Sequence, residues 1–265
     1  MKPDSAGIGP LRVGEPVADG SFLSALEHRG LAPEWQFDTA PTEAIPVATT
    51  VLALTWSGGV LMAGDRRATA GNWIAHRRVR KVYASDEYSA VAISGTAGMA
   101  VELIKLFQTE LEHYEKIEGT RLSLEGKANF LARMVRGNLA LAFQGLVVIP
   151  LFCGFDEAND VGRLFSFDVV GGRYDELDYA TTGSGGAEAK AFLKSEWTSG
   201  VDRQGALALA VEALVAAAEE DAATGGPDIK RGIYPNILTV TSDGVQEIED
   251  DEIAQIATRV LEGRP

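Results

Sequence analysis

The chain predicts an α+β fold, a layered sandwich in which antiparallel sheets pack against helices that come in pairs. Three observations carry this. Short β-branched runs cluster in blocks separated by glycine-rich or polar turns, and helical stretches follow those blocks two at a time, which argues against alternating βαβ units. The 265 residues, 46% hydrophobic and 23% charged, are ordinary globular material, enough for one large domain or two small ones.

Residues 1–48 stand apart from the rest. They hold six of the ten prolines, several glycines and acidic residues and no sustained period, a composition that rarely builds a core. No basic start followed by an apolar run marks a secretory signal. Phe22, Leu23, Leu26, Leu31, Trp35 and Phe37 are suited to docking on a partner surface.

From Thr49 the pattern becomes regular, with strands expected at about 50–56, 59–65, 72–76, 79–84 and 88–94. Then the period changes. Leu103, Phe107, Leu111 and Tyr114 recur at three- and four-residue spacing and predict an amphipathic helix over 98–117. A second helix is expected from Ser123, a plausible N-cap, to Gln144, with Gly145 as the stop. Strands follow at about 148–155, 162–170 and 174–181, the last two joined by a turn at Gly171 and Gly172. Helices at about 184–198 and 202–222, a closing hairpin over 236–248 and a last helix over 250–261 complete the order.

Charge and composition exclude several functions. A formal net charge of −14 argues against nucleic-acid binding, because the basic run His76–Lys81 is short and lies between strands. No stretch approaches the length of a membrane span. Cys153 is the single cysteine, so no internal disulfide forms, which fits a reducing, cytoplasmic setting. His28, His76 and His113 lack ligand spacing, and no metal or other cofactor is expected. The stretch "TTGSGGAEAK" lacks the GxxxxGK[ST] pattern of a phosphate loop, and small residues at a strand-to-helix turn need no nucleotide to explain them.

The paired threonines at the head of the first strand carry the chemistry. Threonine is a common strand residue, but removal of residues 1–48 would give Thr49 a free α-amine beside its hydroxyl, placing nucleophile and base on one residue. The reference pKa of an α-amine, about 8, lets it take the hydroxyl proton near neutrality. A nearby ammonium would lower that value, and Lys81 is a candidate, with Asp65 the carboxylate to hold it.

At this point "TTVLAL", "GVLMAGDRRAT", "KVY", "ISGTAG", "TTGSGG" and "EEDAATGG" are seen to recur in an order and spacing that resemble the proteasome β subunits, most closely the actinobacterial type. The resemblance covers Thr49 to Pro265, with Asp65 sixteen, Lys81 thirty-two and Gly95 forty-six positions after Thr49. It implies a four-layer αββα sandwich, the N-terminal-nucleophile hydrolase fold, and a propeptide over 1–48 ahead of a threonine-protease domain over 49–265. Carried over by position, Thr49 is the nucleophile, Asp65 and Lys81 a charge pair, and the Gly95 N–H the oxyanion donor. Ser184, Gly185, Asp221 and Thr224 orient Thr49; the family often has serine where Thr224 stands.

Ala68, Val79, Ile93 and Ala97 correspond to the wall of the pocket for the residue before the cut, and all are apolar or small, implying cleavage after apolar residues. Thr69 and Ala97 backbone groups would pair with the extended substrate. The family normally has glycine where Ala48 stands, so self-processing at Ala48–Thr49 is expected to be slowed by the added Cβ. The resemblance also implies stacked heptameric β rings of this chain, capped by α subunits, with a ring-shaped ATPase activator and protein or peptide substrates. Two rivals remain: an inactive structural ring subunit, which commonly lacks the threonine or its charged partners, and the simpler bacterial ATP-dependent protease, whose shorter chains lack Asn236–Leu261.

Overall fold

A computed structural model describes residues 49–263. The expected propeptide, including Ala48 and the six docking residues, lies outside the described residues.

Two five-stranded antiparallel sheets form the centre. In chain order the strands are β1 (Thr50–Trp56), β2 (Gly59–Gly64), β3 (Ala68–Ala70), β4 (Trp73–His76), β5 (Val82–Asp86) and β6 (Ser89–Gly95), then β7 (Val148–Asp156), β8 (Val161–Phe167), β9 (Arg173–Glu176), β10 (Tyr179–Gly183), β11 (Asn236–Thr241) and β12 (Gly244–Glu247). The first sheet runs β10-β1-β2-β11-β12 and the second β5-β6-β7-β8-β9, while β3 and β4 pair only with each other.

Helices cover the outer faces. α1 (Ala97–Glu118) and α2 (Leu124–Gly137) lie on the second sheet, with the single turn α3 (Leu139–Ala142) following α2; α4 (Gly186–Glu196), α5 (Arg203–Glu220) and α6 (Asp250–Glu262) lie on the first. Strand alternation explains the layering. Leu52 and Leu54 of β1 face α4 and α5, whereas Val51 and Ala53 face the second sheet and meet Ala90, Ala92, Leu151 and Cys153. The four-layer αββα sandwich follows, with β1 buried on both sides.

Four expectations are corrected. The helix expected over 123–144 breaks at Asn138, whose N–H donates to the Val135 carbonyl 3.0 Å away and closes α2. Ser123 does cap it, its hydroxyl accepting from the Gly126 N–H. The strand expected over 174–181 is two strands, β9 on the second sheet and β10 on the first, with Leu177 86% exposed at the crossing. Lys81 precedes β5 and is not on a strand, and the short β3 was not anticipated.

Candidate active site

Thr49 stands at the head of β1, buried, between two other strand ends. On one flank β10 pairs with β1, Thr50 opposite Gly183; on the other β2 pairs with it, Val51 opposite Gly64. The Thr49 carbonyl accepts the Ser184 N–H at 3.0 Å. Gly183 has φ +106°, and a Cβ there would fall 1.6 Å from the Thr49 carbonyl oxygen, so only glycine lets the two strands close.

The β2 flank holds a buried ion pair. Asp65, directly after β2, is fully buried and accepts from the Lys81 Nζ and the Thr50 N–H through Oδ1, and from the Arg67 and Gly225 N–H groups through Oδ2. Both oxygens are satisfied, which such a charge requires once it leaves water. Burial lowers the pKa of Lys81 below its ordinary value, opposed by the attraction and hydrogen bond of Asp65 and, at longer range, by Asp221.

A second network meets the same threonine pair from the β10 flank. Ser184 Oγ and Thr224 Oγ1 both donate to Asp221 Oδ2, at 2.5 and 2.6 Å. Because the single Thr224 hydroxyl proton is thus committed, Thr50 Oγ1, 2.5 Å away, donates to Thr224, and Thr50 Oγ1 itself accepts the Gly185 N–H at 2.9 Å. The hydrogen bonds therefore all point towards the Asp221 carboxylate. Burial alone would raise its pKa, but the Ser184 and Thr224 hydroxyls and the Ala223 N–H together hold it below the ordinary value.

In front of Thr49 a cleft of about 600 Å³ opens, lined also by Ser94, Gly95, Thr182, Gly183 and Ser184. Gly95 ends β6 with φ +115°, where a Cβ would strike the Val147 carbonyl oxygen at 2.1 Å. A threonine at a strand head, a buried carboxylate–ammonium pair behind it and a glycine-lined cleft before it make an arrangement suited to nucleophilic chemistry.

Comparison with known proteins decides the family. The model of the family described as proteasome subunit matches residues 46–229. The chain belongs to the proteasome family. As a β-type subunit it is 55% identical over 216 residues to the proteasome subunit beta of Acidimicrobium ferrooxidans, covering 82% of this chain and 79% of that protein.

In this proteasome subunit the remaining sequence-predicted residues lie on the segments after β2, before β5, on β6 and at the start of α1. Ala68 and Thr69 open β3, three and four residues after Asp65, and are buried. The N–H of Val79, half-buried, donates to the Arg66 carbonyl at 3.0 Å, tying the segment before Lys81 to that after Asp65. Val82 pairs with Ala92, which brings Lys81 level with the buried Ile93; Ala97 begins α1 just beyond Gly95. Asp65 and Lys81 meet, as do Ser184, Asp221 and Thr224.

Sequence reasoning missed the role of Thr50, which it treated as a strand former. Its amide belongs to the Asp65 network and its hydroxyl to the Asp221 network, so one buried residue joins both. The signal was the doubled threonine itself, read there for only one of its members. Among the described residues, no helix is long and apolar enough to cross a membrane.

Proposed function

We propose that this β-type subunit is a threonine endopeptidase, with residues 1–48 as a propeptide whose removal frees the Thr49 amine. The observation that carries this is the position of Thr49, which lines the cleft with Gly95 while its neighbour Thr50 is held by the buried Asp65–Lys81 pair. Thr49 Oγ attacks the scissile carbonyl as the free amine takes its proton. The carbonyl electrons move to oxygen, where the Gly95 N–H stabilises the charge, a contribution of about 3 kcal/mol for one such donor. The amine then returns the proton to the departing nitrogen, leaving an ester on Thr49. Water, deprotonated by the same amine, hydrolyses that ester.

The Lys81 ammonium favours a neutral amine by like-charge repulsion, and Asp65 holds Lys81. Ser184, Asp221 and Thr224 orient the threonine. Ala68, Val79, Ile93 and Ala97 form an apolar wall for the residue before the cut, and Thr69 and Ala97 pair with the substrate backbone. A peptide panel cleaved faster after Arg or Glu than after Leu, Phe or Tyr would overturn that preference.

Family membership brings assembly with α subunits and in β rings. Our proposal adds homo-heptameric stacking, an ATPase activator acting through the α ring, and a cytoplasmic location. Enclosure gives an unspecific nucleophile a physical reason to assemble.

The test is the intact mass and N-terminal sequence of the subunit after co-expression with its α partner. A terminus at Thr49, with peptidase activity lost in Thr49→Ala, is expected. Persistence of residues 1–48 in full particles without peptidase activity would favour a structural ring subunit instead.

A further inference from the structure

The cleft before Thr49 does not reach the wall assigned to the residue before the cut. Its lining comes from the β10 flank: Thr181–Ser184, Gly186, Ala187 and Lys190, with Ser94, Gly95 and Ile149 opposite. Ala68 and Thr69 follow β2, on the other side of β1, because the sheet order is β10-β1-β2. A chain crossing Thr49 from the β2 flank must therefore leave along this cleft. Resting on the endopeptidase reading, this makes the cleft the seat of substrate residues after the cut.

Its charge is one-sided. Among the described lining residues Lys190 is the one ionisable side chain, it is exposed, and it makes no ion pair with any described residue. The carboxylate that bonds the cleft residue Ser184, Asp221, is engaged by Ser184, Thr224 and the Ala223 N–H. The first turn of α4, Gly186 and Ala187, borders the same space with a helix-end field of the same sign, and the acidic residue of that turn, Glu188, is not among the described residues lining the cleft.

We propose that this cleft binds the leaving side of the substrate and, through Lys190, selects peptides with Asp or Glu among the first three residues after the cut. An exposed lysine facing a carboxylate at short range favours it by a few-fold, so the discrimination between Asp and Lys at one of these positions should be roughly three- to tenfold in kcat/KM.

The experiment uses assembled particles with the α partner and internally quenched peptides that carry Leu before the cut and either Asp or Lys at each of the three following positions. The wild-type Asp:Lys ratio of kcat/KM should exceed one at one position at least, fall towards one in Lys190→Gln and invert in Lys190→Glu. In wild-type particles alone the ratio should also shrink between about 0.05 and 0.5 M salt, as screening requires, so the result does not hang on a variant that assembles. Robust cleavage with a ratio near one, or a ratio indifferent to salt and to Lys190, overturns the assignment and leaves the endopeptidase reading intact. No cleavage of any peptide by particles whose terminus is Thr49 overturns both.

Discussion

The Thr50 hydroxyl lies 2.5 Å from that of Thr224 and donates to it, so the residue next to Thr49 is wired by side chain to Asp221 and by backbone to Asp65. Replacing Thr50 by valine keeps the shape and removes the link. The Gly185 N–H and the Thr224 oxygen would each lose a buried partner, a destabilisation of about 1–3 kcal/mol. Chemical denaturation should register that loss for Thr50→Val and much less for Thr50→Ser. In assembled particles the valine variant should also mature and turn over more slowly, with serine restoring both.

The Asp65–Lys81 pair makes an opposite kind of demand. Asp65→Asn leaves a buried ammonium without its counter-charge, which typically costs about 3–5 kcal/mol. Asp65→Asn combined with Lys81→Met removes both charges and should recover much of the loss. Urea unfolding of the two variants beside wild type measures the difference; equal losses would mean that the Thr50, Arg67 and Gly225 N–H bonds to Asp65 dominate.

Asp221 predicts a response to acid. Its pKa is held below the ordinary 3.8 in the fold, so the unfolded chain binds more protons as pH falls. The stabilisation it contributes is complete above 3.8 and is lost as pH drops through the lower folded value. Asp221→Asn cannot lose what it lacks. The gap in melting temperature between wild type and Asp221→Asn should therefore be widest near neutrality and narrow on acidification below about pH 4.

Two glycines should respond in opposite directions. Gly183→Ala meets the Thr49 carbonyl at a positive φ and should destabilise by several kcal/mol or block folding of the β10 edge. Gly137→Ala, at the last position of α2 with open space around the new Cβ, should gain about 0.4–1 kcal/mol by narrowing the freedom of the unfolded chain. Thermal unfolding of the pair separates conformational from steric cost.

Ala48→Gly tests the expectation about maturation. If the Cβ at this position slows self-processing, the glycine variant should yield a Thr49 terminus sooner in a time course of intact mass after mixing with the α partner. Identical rates would remove the Cβ from the account.

Legibility of this chain in its sequence depended on the range of the relationship concerned. Period-2 and period-3.6 patterns located β1, β2, α1 and α6 almost to the residue, since those patterns belong to a single element. Over 174–181 alternation says only that the residues are extended, not which sheet accepts their hydrogen bonds; Tyr174 pairs with Ser166 and Tyr179 with Leu54. The break at Asn138 is masked in the sequence because Leu139, Leu141 and Phe143 continue an apolar rhythm past it, although all three lie outside the buried core. At the site, Asp65 and Lys81 lie 16 positions apart. The partners of the Thr50 hydroxyl lie 135 and 174 positions away, and no local pattern announces them.

The double-sided burial of β1 has a consequence for time as well as for shape. Chain ends ordinarily fray, and amides near them exchange with solvent in moments. Here the first strand has β10 on one edge and β2 on the other, and the Thr50 amide is held by the buried Asp65 carboxylate, so releasing the Thr50 and Val51 amides requires the first sheet and the buried pair behind it to come apart. In deuterated solvent a chain beginning at Thr49 should keep those protons as long as it keeps those of Leu61 or Leu238, the signature of an end that opens only when the whole domain does.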